Sequence, residues 1–173
     1  MSLRSLTTLM TAASLFVSMM IAGYSGAPAQ PSSQTDDTAY VEIKTEKFEG
    51  VIVPAARAAE FVKSLTGYEG KGHWTPGRED VFKFEARIEA HLRKATDKRS
   101  PALWKKLSNY RRQYAGVEVE GRKLLYANFF CDTFNGEWKN RPVAVEDGGD
   151  CFFQIKYDLH TGAFTDLQIN GEA

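Results

Sequence analysis

Gln113 to Cys131 reads QYAGVEVEGRKLLYANFFC, and this stretch decides the fold. Tyr114 to Val119 alternates in character, Glu120 and Gly121 mark a turn, and Lys123 to Cys131 is dense in aromatic and apolar residues, as buried strands are. Immediately upstream the period is different. Val81, Phe84, Ile88, Leu92 and Ala95 recur at intervals of 3, 4, 4 and 3, which stripes one side of a helix. The change of period at Gln113 makes the chain α+β.

Downstream, a long connection carries Trp138 and a small strand candidate at Val143 to Val145. Cys151, Phe153, Ile155 and Tyr157 then share one face of a strand, with Gln154 and Lys156 on the other. Asp158 to Gly162 (DLHTG) reads as a hairpin loop leading into a last strand, Ala163 to Asn170. Upstream, YVEIKTE at Tyr40 to Glu46 alternates as a half-buried strand does, and FEGVIV at Phe48 to Val53 extends or re-enters the sheet. Pro54 suits the first turn of a helix whose stripe is Ala58, Phe61, Val62 and Leu65 and whose end is Gly67. Tyr68 to His73 reads as a glycine-punctuated loop, Thr75 and Pro76 as cap and first turn of the next helix, and Ser100 as the cap of a short helix from Pro101 that buries Leu103, Trp104 and Leu107. The expected architecture is N-terminal helices packed against a twisted antiparallel sheet.

That distribution resembles the cystatin-like or NTF2-like shape, in which an antiparallel sheet wraps a helix. The likeness is one of architecture: cystatins carry a Q-x-V-x-G hairpin, and Gln113-Tyr114-Ala115-Gly116-Val117 does not match it. WTPGREDV (Trp74 to Val81), YRRQYAGVEVEG (Tyr110 to Gly121), YANFFC (Tyr126 to Cys131) and the tail from Asp147 to Ala173 resemble segments of a family of exported bacterial proteins of uncharacterised function. The resemblance covers about residues 68 to 173 and implies no catalytic residue.

The first residues read as an address. Arg4 precedes an uncharged apolar run, Leu9 to Gly23, of 15 residues, short of the ~18 needed to span a bilayer. Ala27-Pro28-Ala29 supplies the small-x-small boundary of a signal peptide, so residues 1–29 are expected to be removed, with 30–39 a flexible leader and 40–173 a single domain. The competing reading is an uncleaved anchor. No cysteine lies near the run to take a lipid. Cleavage predicts a periplasmic or secreted protein with no stable membrane span.

Export alters the reading of Cys131 and Cys151, the two cysteines of the chain. An even number in an oxidising compartment points to a disulfide, and their spacing is far from C-x-x-C. Buried free thiols and reactive thiols are the alternatives.

The whole chain balances 22 basic against 22 acidic residues, which gives no global field to attract nucleic acid or an acidic membrane. Charge is nonetheless segregated: Arg93 to Arg112 holds eight basic residues against Asp97, and residues 113–173 hold five basic against ten acidic. A solvated helix face is one reading. The other is a docking patch of Trp104, Lys105, Lys106, Arg111 and Arg112 for a protein partner or an anionic surface.

Chemistry has few footholds. His73, His91 and His160 lack any zinc spacing, and no metal or cofactor is expected. Asp147-Gly148-Gly149-Asp150 could turn around a hard cation, although a tight turn into Cys151 is the simpler account. Glu85 and Glu89 stand four apart on one helical face, a spacing that permits acid and base work if one is desolvated and is otherwise a solvated face. There is no G-x-S-x-G and no glycine-rich phosphate loop. The expectation is a non-catalytic exported binding or inhibitory module without a catalytic residue; the alternative is a small periplasmic hydrolase whose site is assembled from scattered residues.

Overall fold

The computed structural model describes residues 37–67, 70–95 and 102–171. The expected signal peptide, most of the leader and the Ser100 cap lie outside them.

Strands β1 (Val41–Lys44) and β2 (Glu49–Ile52) form an antiparallel hairpin, with Ile43 opposite Gly50. Its turn is held by Thr45, whose Oγ1 accepts from the Lys47 and Phe48 amides at 3.2 and 3.1 Å. Helix α1 (Ala55–Thr66) starts after Pro54 and stops at Gly67, whose φ of 72° needs no Cβ and whose amide closes onto the Lys63 carbonyl. Strand β3 (Gly72–Trp74) begins inside the stretch to His73 that the sequence reads as loop. Helix α2 (Arg78–Lys94) begins two residues later than Pro76 suggests, with Asp80 accepting from the Gly77 amide at 3.0 Å. Thr75 serves the other helix: its Oγ1 accepts from the Ala55 amide at 2.9 Å and so caps α1 from a distance.

A 3-10 helix, Leu103–Asn109, leads into β4 (Arg111–Val119) and β5 (Arg122–Phe130). After a long connection, β6 (Phe152–Asp158) and β7 (Phe164–Ile169) complete the sheet. Val143 to Val145 is not a strand.

The seven strands form one sheet in the order β1-β2-β4-β5-β6-β7, with β3 against β4. One edge of β4 is shared: Arg111 to Tyr114 pair with β2 and Gly116 to Glu118 with β3. Here the expected architecture is corrected. β2 runs parallel to β4, so the sheet is mixed rather than antiparallel. Parallel neighbours need a long crossover, and the chain between β2 and β4, containing both helices, supplies one. The helices are therefore internal, not N-terminal.

They also lie on opposite faces. Leu125, Ala127 and Phe129 join Phe153, Ile155 and Tyr157 in a core with Val81, Phe84, Ile88 and Leu92 of α2. The alternate residues Leu124 and Tyr126 join Ala115 and Val117 in a second core with Ala58, Phe61 and Val62 of α1. Such a sheet is filled from both sides and stays open, which a cystatin-like or NTF2-like sheet wrapped on its helix does not. Phe84 is central to the first core, with Tyr114, Phe129, Tyr157 and Phe164 at ring distances of 5.9, 6.0, 5.8 and 5.4 Å; burying such a side chain contributes ~2–3 kcal/mol.

On the α1 face, Gln113, Asn128 and Gln154 stand in register across β4, β5 and β6 and are buried. Asn128 donates to Gln113 Oε1 at 3.1 Å, and Gln154 donates to Asn128 Oδ1 at 3.1 Å. The row then grips the long connection: Gln113 Nε2 donates to the carbonyls of Trp138 and Arg141 at 2.7 and 2.6 Å, and the Val143 amide donates to Gln113 Oε1 at 3.0 Å. This pins a segment whose own regular structure is the 3-10 stretches Phe134–Lys139 and Gly149–Cys151. Cys131 and Cys151 are bridged just beyond the last register pair, Phe130 and Phe152. No helix among the described residues is long and apolar enough to cross a membrane.

Candidate functional site

Arg112 and Tyr114 alternate along β4, which turns both onto the α2 face. Arg112 is 2% exposed. Its guanidinium donates from Nε to Glu85 Oε1 at 3.1 Å and from Nη2 to Oε2 at 3.4 Å, while Nη1 donates to the Tyr110 carbonyl at 2.5 Å. The Tyr114 hydroxyl donates to Glu85 Oε1 at 2.7 Å. Burial and the neighbouring Glu85 carboxylate push that hydroxyl well above its ordinary range, which keeps it a donor. Phe48 and Phe129 offer their ring faces to the guanidinium at 5.2 Å each.

Above this cluster lies a cleft of about 580 Å³ between α2, the 3-10 helix and the β1–β2 turn. Trp104, Lys105, Glu85, Glu89, Lys47 and Arg112 are among its walls. The Trp104 ring carries the Arg93 guanidinium at 3.6 Å and the Lys105 ammonium at 5.4 Å. Arg93 is itself oriented by Glu89 at 2.6 Å, one turn away.

Three of the five residues expected in a basic patch, Trp104, Lys105 and Arg112, thus share one cleft. Lys106 turns to Asp150 at 2.6 Å and Arg111 to Glu49 at 3.2 Å. Arg112 belongs to the core cluster rather than to the surface. The Glu85–Arg112–Tyr114 cluster is absent from the sequence reading. Its trace was present, since a cation two residues from a tyrosine on a buried strand face demands a partner on the element packed above it.

The remaining candidates separate. His91 stacks on Phe164 at 4.5 Å, and burial together with Lys94 lowers its pKa. His73 lies in β3, and His160 in the hairpin loop donates its amide to Asp158 Oδ1 at 2.8 Å. Asp147 offers its carbonyl to Asn170, while Asp150 pairs with Lys106. Gly149 to Cys151 is a single 3-10 turn. No group of three or more His, Cys, Asp or Glu side chains that could hold a metal ion occurs among the described residues.

No protein-family model, curated protein or solved structure matches the chain.

Proposed function

We propose that this chain is an exported, non-catalytic binding or inhibitory module that receives an acidic segment of a protein partner in the cleft beside Trp104. The observation that carries the reading is that Trp104, Lys105 and Lys47 line one concavity, with the paired Arg112 at its base. A concave site takes a chain segment or a side chain, whereas a membrane surface meets only a rim. The Trp104 ring held under Arg93 is an anchor of the type that dominates interfaces; with Glu85 paired to Arg112 and Glu89 to Arg93, the other charges on the walls are Lys47 and Lys105 against Glu46, a small positive excess. Their role is orientation and association rate more than affinity.

The test uses a fluorescent poly-glutamate peptide and association kinetics at two ionic strengths. Replacing Lys47 and Lys105 by glutamine should slow association and flatten its salt dependence. Replacing His160 should change neither. Equal kinetics in the lysine variant, with an unchanged unfolding curve, would remove the proposal. Arg112 is left intact in this test, since its loss would unfold the cluster beneath.

The small-hydrolase alternative draws on the same cleft, where Glu85 and Glu89 stand together. Glu85 is occupied by Arg112 and Tyr114, and Glu89 by Arg93. Turnover of ester, amide or glycoside substrates that disappears in Glu89→Gln would decide for it. Export is tested separately: intact mass of protein recovered outside the cytoplasm should place the first residue at Gln30.

A further inference from the structure

A second cleft, of about 580 Å³, lies on the opposite side of the sheet, between α1 and the outer parts of β4, β5 and β6. Val62, Val117, Val119 and Tyr126 give it a largely apolar wall. Tyr126 is 3% exposed and meets Phe61 edge-on at 6.3 Å. Its hydroxyl oxygen is buried without a hydrogen-bond partner. The buried Tyr114 and Tyr110 hydroxyls, by contrast, are satisfied: Tyr114 donates to Glu85, and Tyr110 to the Asp150 carbonyl.

His73 adds to this. It stands opposite Val117 and therefore on the same face of the sheet, and its Nε2 is also buried and unpartnered. Gly70, which lines the cleft, is its neighbour: a Cβ built there would stand 3.6 Å from Nε2, in ordinary contact. Proteins rarely leave buried polar atoms idle, and of these two Tyr126 is the one that lines the apolar cleft, so its hydroxyl marks the place where a ligand atom belongs.

The rim sets the charge of that ligand. Lys71 and Lys156 are matched by Glu118 and Glu120, and Lys156 is further held by Asp166 at 2.9 Å. There is no net field to draw an ion inward, and the apolar wall would penalise a buried charge. We propose that the cleft binds a small uncharged apolar molecule bearing one oxygen acceptor, such as a ketone or an ester, which takes the hydrogen bond of the Tyr126 hydroxyl. The hydroxyl is closed to bulk water, so the ligand reaches it by an ordinary side-chain adjustment on binding. This site is independent of the Trp104 cleft, and either can fail without the other.

The experiment titrates the full exported chain with 2-decanone, acetophenone, their hydrocarbon counterparts decane and ethylbenzene, and decanoate, read by ligand-observed NMR and by the ¹³Cζ resonance of labelled Tyr126. Each ketone should bind on the order of tenfold more tightly than its hydrocarbon, as one made hydrogen bond to an otherwise orphaned donor allows, and should shift the Tyr126 resonance. Tyr126→Phe should erase that preference while keeping hydrocarbon binding. The ¹³Cζ shift decides the matter in wild-type protein if the variant does not fold. Equal binding of ketone and hydrocarbon, preference for decanoate, binding without a Tyr126 shift, or no binding of any of the five overturns the proposal.

Discussion

Glu85 and Arg112 are a partly enclosed ion pair whose two sides of the ledger are unequal. Arg112 has given up its water and Glu85, 12% exposed at the cleft wall, most of its own, so removing Glu85 leaves Arg112 stranded in a core of aromatic rings. Glu85→Ala is expected to cost about 3–5 kcal/mol in urea unfolding, because Arg112, 2% exposed, loses two of its three hydrogen bonds to the protein. The double variant Glu85→Leu with Arg112→Met should recover most of that loss. A double variant as unstable as the single one would mean the pair contributes by itself. Asp158 behaves differently with pH. Its Oδ1 accepts from the amides of Thr161 and His160 at 3.0 and 2.8 Å, and these bonds, with Arg122 nearby, lower its pKa in the folded protein. The folded value lies below the unfolded one, so the contribution is complete above about pH 4 and fades as pH falls through the folded value. Asp158→Asn should therefore lower stability at pH 7 and narrow the gap to wild type in acid. Parallel curves from pH 7 to pH 2 would contradict this.

Elements were readable from their own periods wherever one face meets a core. The stripe of α2 and the alternation of β6 each follow from burial on one side, which a single segment records. β3 was not readable: Gly72-His73-Trp74 is short and becomes a strand because β4 offers a free stretch of edge. The fit there is close, since a Cβ on Gly116 would lie 2.2 Å from the Trp74 carbonyl oxygen. Nor did Thr75 show which helix it caps, as the Ala55 amide lies 20 residues away. The same holds for the amide row. Gln113→Leu would leave the Trp138 and Arg141 carbonyls and the Val143 amide without their partner, at about 1–3 kcal/mol for each buried group left unmet. Limited proteolysis should then cut between Asp132 and Glu146 well before the sheet unfolds. Cleavage no faster than in wild type would show that the disulfide and Trp138 hold the connection without the row.

At the scale of the molecule, the bridge between Cys131 and Cys151 closes both ends of that connection, with a separation of 20 residues. On the chain-entropy account, opening it costs about 3 kcal/mol. Thiol titration of the unfolded, unreduced protein should find no free thiol, and reduction should lower the midpoint of urea unfolding; an unchanged midpoint would mean the amide row carries the segment alone. The α+β class, the stripes of α1 and α2 and the strands β4 to β7 were legible in the residues alone, since each follows from local period, whereas the Val143 to Val145 strand was not borne out; two cysteines left one possible disulfide partner, with free thiols as the alternative. Tertiary structure alone decided that β2 lies parallel to β4, that the helices take opposite faces, and that Arg112 leaves the basic segment for a place beside Glu85. Strand order and ion pairing are choices among distant partners of similar pattern, and only the packing of the whole chain around its two cores selects among them.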